Sequence, residues 1–215
     1  LHVRSRRQRQ MCIRDRYYVG LSPMVGRVGG GLLTGLADLM EKYGSARLRT
    51  TPYQKLVVLD LPAESVENFV AEAEELGLSA SPSVFRRDTM ACTGIEFCKL
   101  AIVETKNTAE RVVGELEERL ADVRDQLPEQ LSLYVNGCPN SCARIQTADI
   151  GLKGQIIPDG EGGQTSGFQV HLGGGLANYR NDAEGELGRT VRGLKVASDD
   201  VSDYVERLIL SLIHI

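Results

Sequence analysis

No stretch of this 215-residue chain approaches the roughly 18–20 apolar residues that a membrane-spanning helix needs. Nothing at its start reads as a secretory signal, and no internal repeat recurs along it. Tryptophan is absent, and the glycine run at 173–175 is not followed by the Lys-Ser/Thr of a nucleotide-phosphate loop. These absences set the expectation of a cytoplasmic protein that neither spans a membrane nor forms a repeat array. What is present is ordinary globular composition, 42% hydrophobic and 25% charged, enough for one large domain or two small ones.

The ends read differently from the middle. Residues 1–16 carry six arginines, one acid and no regular periodicity, and the final SLIHI is equally patternless. A basic arm of this kind invites a nucleic-acid reading. Both ends instead resemble translated adaptor sequence, so residues 1–16 and 211–215 are set aside as non-native tails. Without residues 1–16 the chain keeps 19 basic against 28 acidic residues, a net charge of −9. An acidic body argues against nucleic acid as a partner.

From Tyr18 the hydrophobic pattern becomes regular. Leu32, Leu33, Leu36, Leu39 and Met40 follow helical spacing up to Gly44, and Val66, Phe69, Val70, Ala73 and Leu76 do the same up to Gly77. Strand-like runs at 46–51 and 55–60 lie between them. The order strand–helix–strand–strand–helix predicts a small α+β unit with helices on one sheet face. Beyond Asp88, Thr108 is expected to cap a helix carrying Val112, Leu116 and Leu120. Strands are predicted at 131–136, 148–157 and 167–172, and Ser198 is placed to cap a last helix. Alternating strands and helices imply a second, mixed α/β domain.

With Cys12 set aside in the tail, every cysteine falls into one pattern. Cys92 and Cys98 form C-x5-C, and Cys138 and Cys142 form C-x3-C after a gap of 39 residues. Disulfides suit an oxidising compartment, which nothing here indicates. Inert buried thiols would explain one or two positions, not two tight pairs flanked by Gly and Pro. Two metal readings remain open on spacing: a structural zinc site, although the first pair is wide for one, and an iron–sulfur cluster drawing thiolates from separated loops. Pro139 is tolerated in a first helical turn, which would place Cys138 and Cys142 on one face. Cys98 is similarly placed to start a helix.

The segments MACTGIEFCKLA (90–101) and NGCPNSCARIQTADIGLKG (136–154) resemble the two cluster motifs of the sirohaem-dependent nitrite and sulfite reductases of the ferredoxin-dependent kind. The likeness extends from about Tyr18 to Ile209 through GRVGGGLLTGLADL, RTTPYQKLVVLDLP and GFQVHLGGGL. The resemblance implies a ferredoxin-like half-domain over 17–87 and a sirohaem- and [4Fe–4S]-binding domain over 88–210. It implies that Cys92, Cys98, Cys138 and Cys142 bind a [4Fe–4S] cluster, with Cys142 also the axial bridge to the sirohaem iron. Arg49, Gln54 and Asn140 are the implied contacts to sirohaem, whose carboxylates need cationic and amide donors. Gly173–Gly175 reads as backbone near the cofactor or a plain turn, and His171 as a strand residue.

The activity implied is six-electron reduction of sulfite to sulfide, with reduction of nitrite to ammonia as the alternative and ferredoxin as electron donor. Arg86, Arg87, Arg189, Arg192 and Lys195 are the basic residues available for an acidic donor. The match covers only the second half of the family's subunit. The substrate-anion residues are therefore expected in a missing N-terminal half of the same enzyme, and this fragment alone is expected to be inactive. A zinc-stabilised structural module is the alternative from another class, and a precorrin-modifying oxygenase of the same superfamily is a third.

Overall fold

The computed structural model describes residues 16–176 and 185–213, which form two compact units divided between Pro82 and Ser83. Most of the two presumed tails lies outside the described residues.

In the first unit, β1 (Arg16–Leu21) is followed by α1 (Gly30–Lys42), β2 (Arg47–Thr50), β3 (Leu56–Pro62) and α2 (Val66–Glu75). This is the element order expected from the hydrophobic periods. The sheet is antiparallel with β3 between β1 and β2. Alternate residues of β1 and β3 point to one side, where Val19, Leu21, Leu56 and Val58, joined by Leu61 past a shift in strand register, meet Leu36, Leu39 and Met40 of α1 and Val66, Phe69 and Ala73 of α2. Both helices end where glycine takes a left-handed φ, +73° at Gly44 and +83° at Gly77. The amides of Ser45 and Leu78 then reach back to the carbonyls of Met40 and Ala73 at 2.8 and 3.0 Å, closing the last turns. Asp60 also has a positive φ and is bracketed by Arg47 through its carboxylate and Arg16 through its carbonyl. Arg16 is thus the first residue of a strand.

The second unit begins with the short α3 (Val84–Asp88), capped by Ser83 Oγ accepting from Arg86 N at 3.0 Å. It continues through β4 (Thr89–Ala91), α4 (Lys106–Arg119), β5 (Leu133–Asn136), β6 (Ile150–Pro158), β7 (Gln164–Leu172), β8 (Arg189–Ala197) and α5 (Val201–Ile213). The five strands form one sheet in sequence order, parallel from β4 to β6 and antiparallel from β6 to β8. This is the mixed α/β domain that the alternation of elements predicts. One sheet face is apolar, with Val135, Leu152, Phe168 and Val170 fully buried. By register the opposite face carries Asn136, Lys153, Gln155, Gln169 and His171. Helices α4 and α5 are joined by Arg119, which binds Glu115 on its own helix and Asp203 and Glu206 on the other.

Two expected helix starts move. Thr105, not Thr108, is the N-cap residue of α4, and the carboxylate that receives the Thr105 and Asn107 amides is that of Glu104. Thr108 sits inside the first turn and donates to the Glu104 carbonyl. Helix α5 begins at Val201, three residues beyond Ser198, and runs on through Ser211 to Ile213.

A candidate metal centre at the ends of two parallel strands

Because β4 and β5 run parallel, their carboxyl ends lie side by side, the position at which open α/β sheets present ligand-binding loops. Cys92 follows β4 directly, and Gly137-Cys138 follows β5. The amide of Cys92 adds one more rung by donating to Val135 O at 2.9 Å. The carbonyl of Gly137 then accepts from Ile102 N at 2.7 Å and Val103 N at 3.3 Å, tying the loop after β4 to the loop after β5. The Gly137 amide donates to Cys92 Sγ at 3.2 Å.

Glycine is required where the loops touch. A Cβ on Gly137 would stand 2.9 Å from Val103 O, and one on Gly154 would stand 2.4 Å from Val103 Cγ2 and 2.8 Å from Asn136 O. Thr105 is fully buried, donates through Oγ1 to Cys92 O at 2.7 Å and lies 3.8 Å from Cys92 Sγ. The second loop is held from beneath by Asn136, whose Oδ1 accepts from Ala143 N at 2.8 Å. Ser141 Oγ accepts from Ile145 N at 3.2 Å and donates to Gln146 Oε1 at 2.5 Å. The Arg144 guanidinium lies over the Tyr134 ring at 5.9 Å and reaches Met90 Sδ at 3.4 Å. Ala143, Ala148, Met90, Tyr134 and part of Cys92 form a small apolar cluster under these loops.

The four cysteines are free thiols in three environments: Cys138 buried, Cys92 and Cys98 half-buried, Cys142 exposed. Neither expected helix forms around them. Ser141 takes a left-handed φ of 56°, which breaks any helical turn between Cys138 and Cys142, and Arg144, just beyond them, takes a φ of 55°. Cys98 follows a single 3-10 turn at Gly94–Glu96, and α4 starts only at Lys106. The first loop leaves Ile95, Phe97, Leu100 and Ile102 exposed. Among the described residues no three His, Cys, Asp or Glu side chains gather as the ligands of one metal ion would. Four thiols on two loops are the donor type that an iron–sulfur cluster takes.

Arg49 and Gln54 belong to the other unit. Arg49 pairs with Val57 on the edge strand β2, on the sheet face away from the helices, and is exposed. Gln54 occupies the turn before β3 at a φ of 57° and packs so closely on Gly26 that a Cβ there would stand 2.6 Å from its own. Asn140 is exposed between the last two cysteines. Of the basic residues, Arg87 is engaged by Asp88 at 2.9 Å, whereas Arg189, Arg192 and Lys195 share the edge strand β8. His171 is buried in β7 beside Thr190 Oγ1, 3.1 Å from Nδ1, and burial together with the charge of Lys153 holds its pKa below the ordinary histidine value. Gly173–Gly175 follows the end of that strand, and a Cβ on Gly174 would stand 2.3 Å from Gln146 O.

Thr105 and Asn136 were not foreseen as part of this site. Asn136 stands beside Gly137 in the NGCPNSC motif, so its place was visible and its bond to Ala143 was not. Thr105 is 13 residues from Cys92 and carries no local signal.

A half-domain of three antiparallel strands and two helices, followed by a mixed α/β domain with paired cysteine loops, defines a two-part module whose second part presents four thiols on two loops. Residues 13–76 match the nitrite/sulfite reductase ferredoxin-like half domain, and residues 84–210 match the nitrite and sulphite reductase 4Fe-4S domain. The chain belongs to the nitrite and sulphite reductase 4Fe-4S domain family. It is 54% identical over 190 residues to sulfite reductase [ferredoxin] 2 of Mycolicibacterium paratuberculosis, covering 88% of this chain and 33% of that protein. It is 40% identical over 164 residues to the assimilatory ferredoxin-dependent nitrite reductase of Haloferax mediterranei, covering 76% of this chain and 27% of that one. The solved structure of Mycobacterium tuberculosis NirA protein superposes with a TM-score of 0.87 at 50% identity, over 92% of this chain and 35% of its own. The chain therefore spans about a third of the length of these relatives. Among the described residues no helix is long and apolar enough to cross a membrane.

Proposed function

We propose that this chain is the sirohaem- and [4Fe–4S]-bearing part of a cytoplasmic, ferredoxin-dependent sulfite reductase. The observation that carries the reading is the pairing of both cysteine motifs at the ends of adjacent parallel strands, where the Gly137 amide donates to Cys92 Sγ. Cys92, Cys98, Cys138 and Cys142 would hold the cluster, and Cys142, the exposed thiol, would also hold the sirohaem. The bound cofactors supply the six-electron reduction of sulfite to sulfide. The protein's own work is to hold and orient them.

In this reading Thr105 and Asn136 fix the two loops from below, and the Gly137 amide holds the Cys92 sulfur in place by a hydrogen bond. Arg49, Gln54 and Asn140 supply N–H donors to sirohaem carboxylates. Ferredoxin delivers the electrons, with Arg189, Arg192 and Lys195 on β8 as a basic edge for an acidic donor. Residues that bind the substrate anion come from an N-terminal half of the same enzyme, so the chain alone turns over little. Nitrite is the second substrate reading, favoured by the 40% identity to a nitrite reductase and outweighed by the 54% identity to a sulfite reductase.

Anaerobic reconstitution of the purified chain with iron and sulfide tests the cofactor. About four iron and four labile sulfide per chain are expected for one cubane. One tightly held zinc and no iron would replace this reading with a zinc-stabilised structural module. The complete enzyme, assayed with reduced ferredoxin, is expected to show the higher kcat/KM for sulfite, and the reverse preference would make it a nitrite reductase. Sulfite-dependent oxidation of reduced methyl viologen at full rate by the 215-residue chain would refute the need for a further half.

A further inference from the structure

Asn136 is 1% exposed at the carboxyl end of β5, one residue before the Gly137-Cys138 step. Its carboxamide has one visible task. Oδ1 accepts from Ala143 N at 2.8 Å, which fixes the orientation of the group, because only oxygen can accept from that amide. The other end, Nδ2, is buried, and no acceptor among the described residues is within hydrogen-bonding reach of it. A buried N–H donor without an acceptor is costly and calls for an explanation. The ring closed by the Asn136–Ala143 hydrogen bond contains both Cys138 and Cys142, so the vacant donor belongs to the loop that carries two of the four thiols. Sulfur is the acceptor such a place would offer once metal is bound.

We infer that Asn136 is a positioning residue for the cluster: Oδ1 sets the Cys142 loop, while Nδ2–H donates to a sulfur of the bound cluster and raises its reduction potential. The inference rests on the cluster reading above. A reduced cluster carries one more negative charge than the oxidised one. A hydrogen bond to its sulfur therefore stabilises the reduced form more. Asn136→Asp keeps an oxygen for the Ala143 amide and removes the donor, whereas Asn136→Leu removes both ends at similar volume.

The test uses the reconstituted chain grown with asparagine labelled with nitrogen-15 in the side-chain amide. Pulsed electron paramagnetic resonance of the reduced cluster is expected to show a nitrogen-15 coupling in the wild type and in Asn140→Asp, and none in Asn136→Asp. At a fixed solution potential the ratio of reduced to oxidised cluster should fall about tenfold in Asn136→Asp, the effect of losing one charge-assisted hydrogen bond. A fully loaded wild type with no labelled coupling overturns this inference and leaves the cluster reading intact. Loss of the coupling in Asn140→Asp would move the donor to Asn140 and also overturn it. A wild type that takes up no iron overturns both. If Asn136→Asp and Asn136→Leu fail to assemble a cluster, the coupling in the wild type and its survival in Asn140→Asp still decide.

Discussion

Gly154 stands where the loop from β4, the end of β5 and the middle of β6 converge, and any Cβ there meets three neighbours inside 3 Å. Two of them are backbone atoms, so no rotamer change relieves the contact. Gly154→Ala is expected to cost about 1–3 kcal/mol by overpacking and to lower the iron retained after reconstitution. Gly114, inside α4 with nothing within 4 Å of its missing Cβ, is the contrasting case. Gly114→Ala should stabilise by about 0.5–1 kcal/mol, because helix interiors favour alanine over glycine. Chemical denaturation of the two variants separates a glycine demanded by packing from one that packing ignores.

His171 offers a second residue-scale outcome. Its folded pKa lies below the ordinary value because burial disfavours the imidazolium and Lys153 repels it. With the folded pKa lowered, the unfolded state takes up the proton first as pH falls below about 6.5. Stability is therefore complete above that pH and declines as pH drops toward the folded value. Melting temperatures measured from pH 7.5 to pH 5 should fall less steeply in His171→Gln than in the wild type. Parallel slopes would show that His171 does not titrate differently on folding.

At the scale of elements, each helix owes its place to one apolar face and a chemically marked end. Phe69 of α2 is completely buried and meets Tyr43 edge-to-face, with ring centroids 6.0 Å apart. Phe69→Ala should remove about 3–5 kcal/mol from the first unit. The surface links near it, Lys42 and the Tyr43 hydroxyl on Glu72, are exposed and carry far less. The periods of α1 and α2 and their closing glycines were legible because local backbone chemistry sets both. The starts of α4 and α5 were not. Thr108 and Ser198 have capping side chains, yet Thr105 is drawn to Cys92 O and the carbonyl of Ser198 is taken by Arg111.

For the molecule as a whole, two cores in one chain imply two separable melting events. If the cysteine loops of the second unit bind metal as proposed, binding stabilises that unit by mass action, since the unfolded chain holds no organised site. Stripping iron with a chelator should lower the calorimetric transition of this unit and leave the other where it was. Phe69→Ala should do the opposite. A single transition that moves as one in both experiments would show that the two units unfold as one cooperative body.

The sequence by itself determined the elements of the first unit, the longer ones of the second apart from β8, and the spacing of the thiols. Hydrophobic periods, terminal glycines and the C-x5-C and C-x3-C spacings are local properties, readable without knowing what lies across the sheet. Tertiary structure decided how the thiols differ. Parallel pairing of β4 with β5 brings Cys92 beside Gly137, which lies 45 positions away in the chain. A left-handed residue at Ser141 interrupts the helical turn that Pro139 would have allowed, and Cys138 is buried while Cys142 is exposed. Asn136 gained its role the same way, from the fold of the loop back onto Ala143. These contacts depend on strand register and loop path, which are settled only when the whole core packs.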